Sequence, residues 1–245
     1  MTHVNAPRGS GALRRQLLRD EVYDALLDML LEQRLAPGGS LSIDGLAREL
    51  GVSPTPVREA LAFLEHTGLV TRTALKGYAV APHPSVGQLE ELVDARAVLE
   101  TEALRRAATH ESLLPQLRAA HAGHLAAATA MVEAWTPDAP PPASVMRGYF
   151  EADWAFHLAI VETSGNRYLH QMLEQLGTHL HRLVQSAGRG VTDWQAALGE
   201  HEEILLALEA GDAEAAVTAM ADHLAGVRTR ATADALVSGR VGATA

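Results

Sequence analysis

SIDGLARELGVSPTPVREALAFLEHTGLVTRTALKGYAV, running from Ser42 to Val80, decides how this chain folds. Ile43, Leu46, Ala47 and Leu50 recur at helical spacing behind Ser42, whose hydroxyl can cap the first turn, and Gly51 can end the helix by taking positive φ. Val52 then enters the turn as a buried residue. Ser53 offers an oxygen to a free backbone N–H of a second helix, and Pro54 suits its first turn because a donor there has no intrahelical partner. Along this helix Val57, Leu61 and Leu64 form an inward stripe with Ala60 beside them, leaving Thr55, Arg58, Glu59 and Ala62 nearer the other face. Gly68 stops it. Leu69–Thr73 and Tyr78–Ala81 read as two strands, joined by Ala74-Leu75-Lys76-Gly77 with glycine where a hairpin turn wants backbone freedom. The pattern is a winged helix-turn-helix. Such a unit either reads a DNA groove with the hydroxyls and guanidinium at the start of its second helix, or is a small helical core with a hairpin that binds nothing.

Upstream, Leu17, Val22, Leu26, Met29 and Leu30 make a helical stripe between Leu13 and Leu35, closed by Pro37-Gly38-Gly39, which predicts a third core helix for the same domain. Residues 1–11 are expected to be disordered and residues 12–81 to form the domain. Pro82-His83-Pro84 forces an extended linker, and Ser85 with Gln88 makes a capping box at the head of a second domain over residues 85–236. Everything there reads as helix: Val86–His110, Leu113–Trp135, Val145–Thr163, Arg167–Ala187, Trp194–Ala210 and Ala213–Leu236. Helices of this length imply an all-α antiparallel bundle, so the fold class is mainly α, a winged helix-turn-helix followed by that bundle. The proline-rich loop Thr136–Ser144 is expected at the surface and to be the least ordered stretch, and residues 237–245 form a tail with little to bury. The run Ala126-Ala127-Ala128 does not reveal which side of its helix faces inward.

A chain of 245 residues has room for two cores. Its net charge of −10 argues against nucleic acid only until the charges are placed. Residues 1–81 hold 9 basic and 9 acidic side chains, leaving 11 against 21 for residues 82–245. A neutral first domain can dock on DNA if two copies act together, so dimerisation belongs to the DNA reading. No run of 18 apolar residues predicts a membrane span, the first fifteen residues lack the apolar core of a secretory signal, and there is no cysteine to exploit an oxidising compartment. A cytoplasmic protein is expected.

Leu50-Gly51-Val52-Ser53-Pro54-Thr55-Pro56-Val57-Arg58-Glu59-Ala60-Leu61, then Leu64, Gly68-Leu69-Val70 and Gly77-Tyr78, resembles the DNA-binding signature of GntR-family bacterial transcription regulators, over about Leu17 to Ala81. The resemblance implies that Ser53, Thr55 and Arg58 touch double-stranded operator DNA, that Arg48 sits at the backbone, and that Lys76 and Gly77 at the wing tip enter the minor groove. Where many members carry arginine after the serine, this chain has Pro54, which removes one basic contact.

Twelve histidines raise the question of which converge. Asp153 and His157 are four apart and share a helix face. His201 and His223 flank the Gly211 turn at about 10 and 12 residues, so an antiparallel hairpin rising roughly 1.5 Å per residue brings them to similar heights. One carboxylate and three neutral imidazoles suit a divalent transition metal, with zinc, nickel or manganese each possible on ligand type. The alternative is that each histidine sits on a polar surface face and Asp153 with His157 is an ordinary helix ion pair. Asp153-Trp154-Ala155-Phe156-His157, Gly165-Asn166-Arg167-Tyr168-Leu169, His201-Glu202-Glu203-Ile204 and His223-Leu224 resemble the effector domain of the FadR-like GntR subfamily, of the FCD type. That resemblance implies that Asp153, His157, His201 and His223 bind a metal, zinc foremost, inside the bundle. It also implies that Arg96, in Asp94-Ala95-Arg96-Ala97-Val98-Leu99-Glu100, reaches an effector carboxylate, the other reading being a salt bridge to Glu100 at i+4. His179, His181 and Arg182 can line the same cavity or face solvent. His121 and His124, with no carboxylate nearby in sequence, are expected on a solvated edge.

A dication with one carboxylate ligand keeps a formal charge of about +1, and its open coordination positions favour an anion such as a small organic acid. The expectation is a homodimeric, metabolite-responsive transcription regulator, a repressor, and not an enzyme. Two alternatives stay open: a metalloenzyme, for which Glu202 and Glu203 are poorly aimed as general bases, and a regulator in which the metal is itself the signal or only a staple.

Overall fold

The structure is a computed structural model that describes residues 10–136, 139–177 and 191–237. It divides into two compact units, residues 1–81 and 82–245. Among the described residues no helix is long and apolar enough to cross a membrane.

In the first unit, α1 (Ser10–Leu31) and α2 (Ile43–Leu50) both pack on α3 (Pro54–His66), and β1 (Ser40–Leu41), β2 (Val70–Thr73) and β3 (Gly77–Val80) form an antiparallel sheet in the order β1-β3-β2. Val22, Leu26, Met29 and Leu30 of α1 meet Leu46 and Ala47 of α2 and Val57, Ala60, Leu61 and Leu64 of α3 in one core. Ser42 Oγ accepts the Gly45 N–H at 3.1 Å, and Gly51 ends α2 at φ 68°. Ser53 stands at the N-cap of α3 without the expected side-chain bond, so Pro54 and Pro56 in the first turn, which lack N–H groups, carry the start of this helix.

Several expectations shift. Helix α1 begins at Ser10, inside the stretch expected to be disordered, and ends at Leu31 because Gln33 takes φ 57° and the Arg34 N–H turns back to the Met29 carbonyl at 3.0 Å. Leu17 is 60% exposed and leaves the core stripe, and Val52 is only partly buried. The two-residue strand β1 is too short to carry a period in sequence. Gly39 brings the chain to it at close quarters, since a Cβ there would lie 2.8 Å from the Ala36 carbonyl oxygen. At the wing tip the left-handed conformation falls on Leu75 (φ 65°) as well as Gly77 (φ 82°), and Leu75 is fully exposed.

The second unit is helical among the described residues: α4 (Val86–Ala107), α5 (Leu113–Glu133), α6 (Ala143–Thr163), α7 (Arg167–Leu176), α8 (Trp194–Glu209) and α9 (Ala213–Val237). Ser85 and Gln88 form the capping box on α4. Gly177 at φ 55° closes α7, its N–H turning back to the Glu174 carbonyl at 3.1 Å, and the rest of the helix expected to reach Ala187 lies outside the described residues. Ala143 and Ser144, expected in the surface loop, open α6, and Pro141 is buried. Val93, Leu104, Leu113, Leu117, Phe156, Ile160, Leu173, Ile204, Met220 and Leu224 form the apolar core. Each fully buried leucine or phenylalanine stabilises the bundle by roughly 1.5–3 kcal/mol. On α5 the inward stripe is Leu113, Leu117, His124, Ala128 and Met131, which resolves the orientation that the alanine run left open.

Candidate functional site

Inside this apolar core sits a polar cluster. His124, His157, His201 and His223 come from α5, α6, α8 and α9 and are all buried, together with Arg96 and Glu100 of α4. Ligand atoms of His157, His201 and His223 lie within 4.8 Å of one another, as do those of His124, Asp153 and His201. The four expected ligands are therefore brought together as two overlapping triads sharing His201, rather than as one set of four. His201 and His223 have ring centroids 4.8 Å apart, as their equal heights on the hairpin require.

The second nitrogens of the rings are held from behind. His157 Nδ1 donates to Glu100 Oε2 at 2.6 Å, and His223 Nδ1 donates to Glu200 Oε2 at 2.8 Å. Each bond fixes the tautomer that leaves Nε2 unprotonated and aimed at the cluster. Glu100 also accepts from Arg96 Nε at 2.5 Å, and Glu200 from both terminal nitrogens of Arg230 at 2.7 Å. Gly226 leaves room for that arrangement, since a Cβ there would sit 2.7 Å from Glu200 Oε1.

Burial pushes the Glu100 carboxyl up, but the Arg96 guanidinium and His157 outweigh it and hold Glu100 at about 2. Burial likewise raises Glu200, and its bonds to His223 and Arg230 bring it down to about 2. For Asp153 burial is offset by the fields of His157 and His124, which lower its carboxyl. Burial pushes His124 and His223 down, and His201 well down with the other imidazoles adding to it, so these rings are kept neutral. Neutral imidazoles are the form that ligates.

The Nε2 atoms of His124, His157, His201 and His223 are all buried without a hydrogen-bond partner. Ring nitrogens left unpartnered in a protein interior are costly, and a divalent cation bound by the cluster would satisfy them. The donor set of imidazoles and one carboxylate, oriented by Glu100 and Glu200, fits a transition metal.

Asp153 and His223 also line a narrow cavity with Arg96, Tyr149, Trp154, Asp193 and Arg230 among its walls, where Arg230 Nε donates to Asp193 Oδ2 at 2.9 Å. Arg96 Nε is paired with Glu100, as the salt-bridge reading has it, and its Nη2 is buried with no hydrogen-bond partner. His124, expected on a solvated edge, is instead fully buried, with Nε2 3.8 Å from Asp153 Oδ1; its place seven after Leu117 and seven before Met131 is the signal that marks it as inward. His121 is partly buried and faces Glu202 at 3.2 Å. Sequence reasoning named Glu100 only as the alternative partner of Arg96 and did not name Glu200; Glu100 stands on the inward stripe with Val93, Arg96 and Leu104, and that stripe is the signal for its burial. His179, His181 and Arg182 lie outside the described residues.

In the first unit, Ser53, Thr55 and Arg58 are exposed at the start of α3, Arg48 is exposed on α2, and Lys76 and Gly77 are exposed at the wing. Arg34 pairs with Glu49 and Arg19 with Asp20, whereas Arg58 and Lys76 make no ion pair among the described residues. Arg48 Nε donates to the Asp44 carbonyl of its own helix at 3.2 Å. The unpaired cations thus stand on the edge formed by the head of α3 and the hairpin.

Known proteins agree with this division. The pattern described as bacterial regulatory proteins, gntR family, matches residues 18–80, and the FCD domain matches residues 91–226. An uncharacterized HTH-type transcriptional regulator in an unstable DNA locus of Streptomyces ambofaciens is 32% identical over 85% of this chain and 83% of its own length. The HTH-type transcriptional regulator McbR of Escherichia coli is 32% identical over 84% of this chain and 89% of its own. A probable D-xylose utilization operon transcriptional repressor of Paenarthrobacter nicotinovorans is 29% identical over 88% and 89%. The solved structure of E. coli McbR/YncC shares the fold, with a TM-score of 0.63 at 24% identity over 87% of this chain and 96% of that one. The chain belongs to the GntR family of bacterial transcription regulators with an FCD domain, a family of DNA-binding regulators and not of enzymes.

Proposed function

We propose that this regulator is a cytoplasmic homodimeric repressor whose hold on its operator is set by a small organic acid bound beside a divalent metal in the helical unit. The observation that carries the reading is the set of four buried imidazole Nε2 atoms without partners, next to a cavity walled by two guanidiniums. Asp153, His157, His201 and His223 would hold the ion, zinc foremost, and Arg96 would offer Nη2 to a carboxylate. When bound, the ion supplies positive charge and open coordination to an anion. The unpartnered Nη2 of Arg96 and the charge of the bound ion would favour an acid over a neutral sugar.

On the DNA side, Thr55 and Arg58 would read base edges from the head of α3, with Ser53 and Arg48 at phosphates and Lys76-Gly77 in the minor groove. The acid must bind two arrangements of the dimer with different affinity for control to follow. The exposed Glu202 and Glu203 offer no general base to the cluster, in keeping with a regulatory role.

The test is to select an operator from a random duplex library with purified protein, measure metal content, and titrate sugar acids and dicarboxylates into the complex. Release by an acid, lost after chelation, supports the reading. Metal-free protein that responds to no acid overturns it.

A further inference from the structure

The second triad is unexplained by a four-ligand site. His124 reaches the cluster from α5, which contributes none of the four groups assigned above, and its ring is fully buried. Its Nε2 has no hydrogen-bond partner and lies 3.8 Å from Asp153 Oδ1, while His201 Nε2 lies 3.7 Å from the same oxygen. Its Nδ1 is 3.4 Å from His201 Nδ1, and its ring stands against that of His201 at 5.3 Å. A fourth imidazole held dry with its ring 4.8 Å from that of Tyr149 has no structural use that an apolar residue would not serve better.

We propose that His124 is a fifth protein ligand of the ion, adding an imidazole from α5 to Asp153, His157, His201 and His223. The inference rests on the metal reading above and deepens it. Two ligand atoms on one ion stand at most about 4.2 Å apart, twice a bond of about 2.1 Å; the atoms of each triad lie within 4.8 Å of one another, so a shared ion would draw the two triads inward onto one point. One ion shared through His201 is favoured over two, because Asp153 is the only carboxylate in either triad and a second dication would bury two further charges without a counter-ion. Five protein groups favour a six-coordinate ion over a tetrahedral one and leave one position open. An acid effector then reaches the ion through a single oxygen, with a remaining oxygen free for the unpartnered Nη2 of Arg96 on the cavity wall.

Cobalt(II) is the probe, because its visible absorption is weak when six-coordinate and intense when four-coordinate. The full chain, stripped by chelator and titrated with cobalt, is expected to take up one ion with weak absorption. His124→Leu is expected to lose at least about tenfold in affinity and to gain absorption as the coordination number falls. Intense four-coordinate absorption in the unmodified chain, two ions per chain, or an unchanged spectrum and affinity in His124→Leu would overturn the fifth ligand while leaving the metal site standing. No uptake by the unmodified chain would overturn the metal reading itself. Should His124→Leu fail to fold, the spectrum and stoichiometry of the unmodified chain still decide.

Discussion

His157 Nδ1 donates to Glu100 Oε2 at 2.6 Å, joining α6 to α4 through a carboxylate that Arg96 grips from its own helix. The Glu100 carboxylate does two jobs: it turns His157 Nε2 toward the cluster, and it neutralises a guanidinium that is 3% exposed. Glu100→Gln keeps the shape and an acceptor but removes the charge. It is expected to weaken metal binding about 10- to 100-fold, by relaxing the ring and lowering its basicity. It also leaves Arg96 buried without a counter-charge, costing on the order of 3 kcal/mol in the metal-free protein. Chelator competition and urea unfolding read the two effects separately; loss of stability with unchanged metal affinity would make Glu100 a counter-ion only.

Arg58 is exposed at the head of α3 and free of ion pairs, so nothing in the fold depends on its charge. Arg58→Ala is expected to cost about 1–3 kcal/mol in operator binding if the guanidinium reads a base, or to reduce the salt dependence by about one counterion if it sits on a phosphate. The circular dichroism and melting temperature stay at the values of the unmodified chain. Full operator affinity at two salt concentrations would remove Arg58 from the DNA-reading edge.

Much of this arrangement was legible in the sequence, because it follows from period and punctuation. The stripe Val57, Leu61 and Leu64, the glycine stops and the Ser85 capping box specify local geometry directly. His201 and His223 were legible because a turn of known place fixes heights on a hairpin. What escaped notice depends on the third dimension. Glu100, read from the sequence only as a helix partner for Arg96, and Glu200, not read at all, hold histidines 57 and 23 residues away. His124 sat beside a run of alanines that favours helix without choosing a face, so its burial had to be read from Leu117 and Met131 at heptad distance. The left-handed Leu75 was hidden for the opposite reason: local propensity assigns such a conformation to glycine, and the hairpin geometry overrides it.

His201 and His223 stand at the heart of the cluster but in a different compact unit from the DNA-reading edge. His201→Ala and His223→Ala are expected to lower metal content and leave operator affinity unchanged while no acid is present. Their response to acid should be lost, since the ion that the acid would meet is gone. Metal analysis beside a gel-shift series checks this. Weakened operator binding without any acid would mean that the ion is needed for the DNA-competent form, and the metal would then be a staple or a signal.

The metal-free bundle should also be sensitive to pH, with a sign that the buried imidazoles fix. Burial lowers His124 and His223 and lowers His201 well below the ordinary value of 6.5. Below pH 6.5 the unfolded chain therefore takes up protons that the folded chain refuses, so stability falls as pH falls and levels off above 6.5. Each ring that stays neutral contributes up to about 1.4 kcal/mol per pH unit in that window. Glu100 and Glu200, both held at about 2, add nothing between pH 5.5 and 7.5, since they and their unfolded counterparts near 4.5 are ionised throughout. Denaturant midpoints of the chelated protein should drop from pH 7.5 to 5.5, and His201→Phe, which stacks on Phe156 in place of an imidazole whose centroid lies 4.0 Å from that ring, should flatten the profile. A midpoint independent of pH over this range would mean that the rings take up protons inside the fold as readily as outside it, and the cluster would not be the dry set of neutral ligands described above.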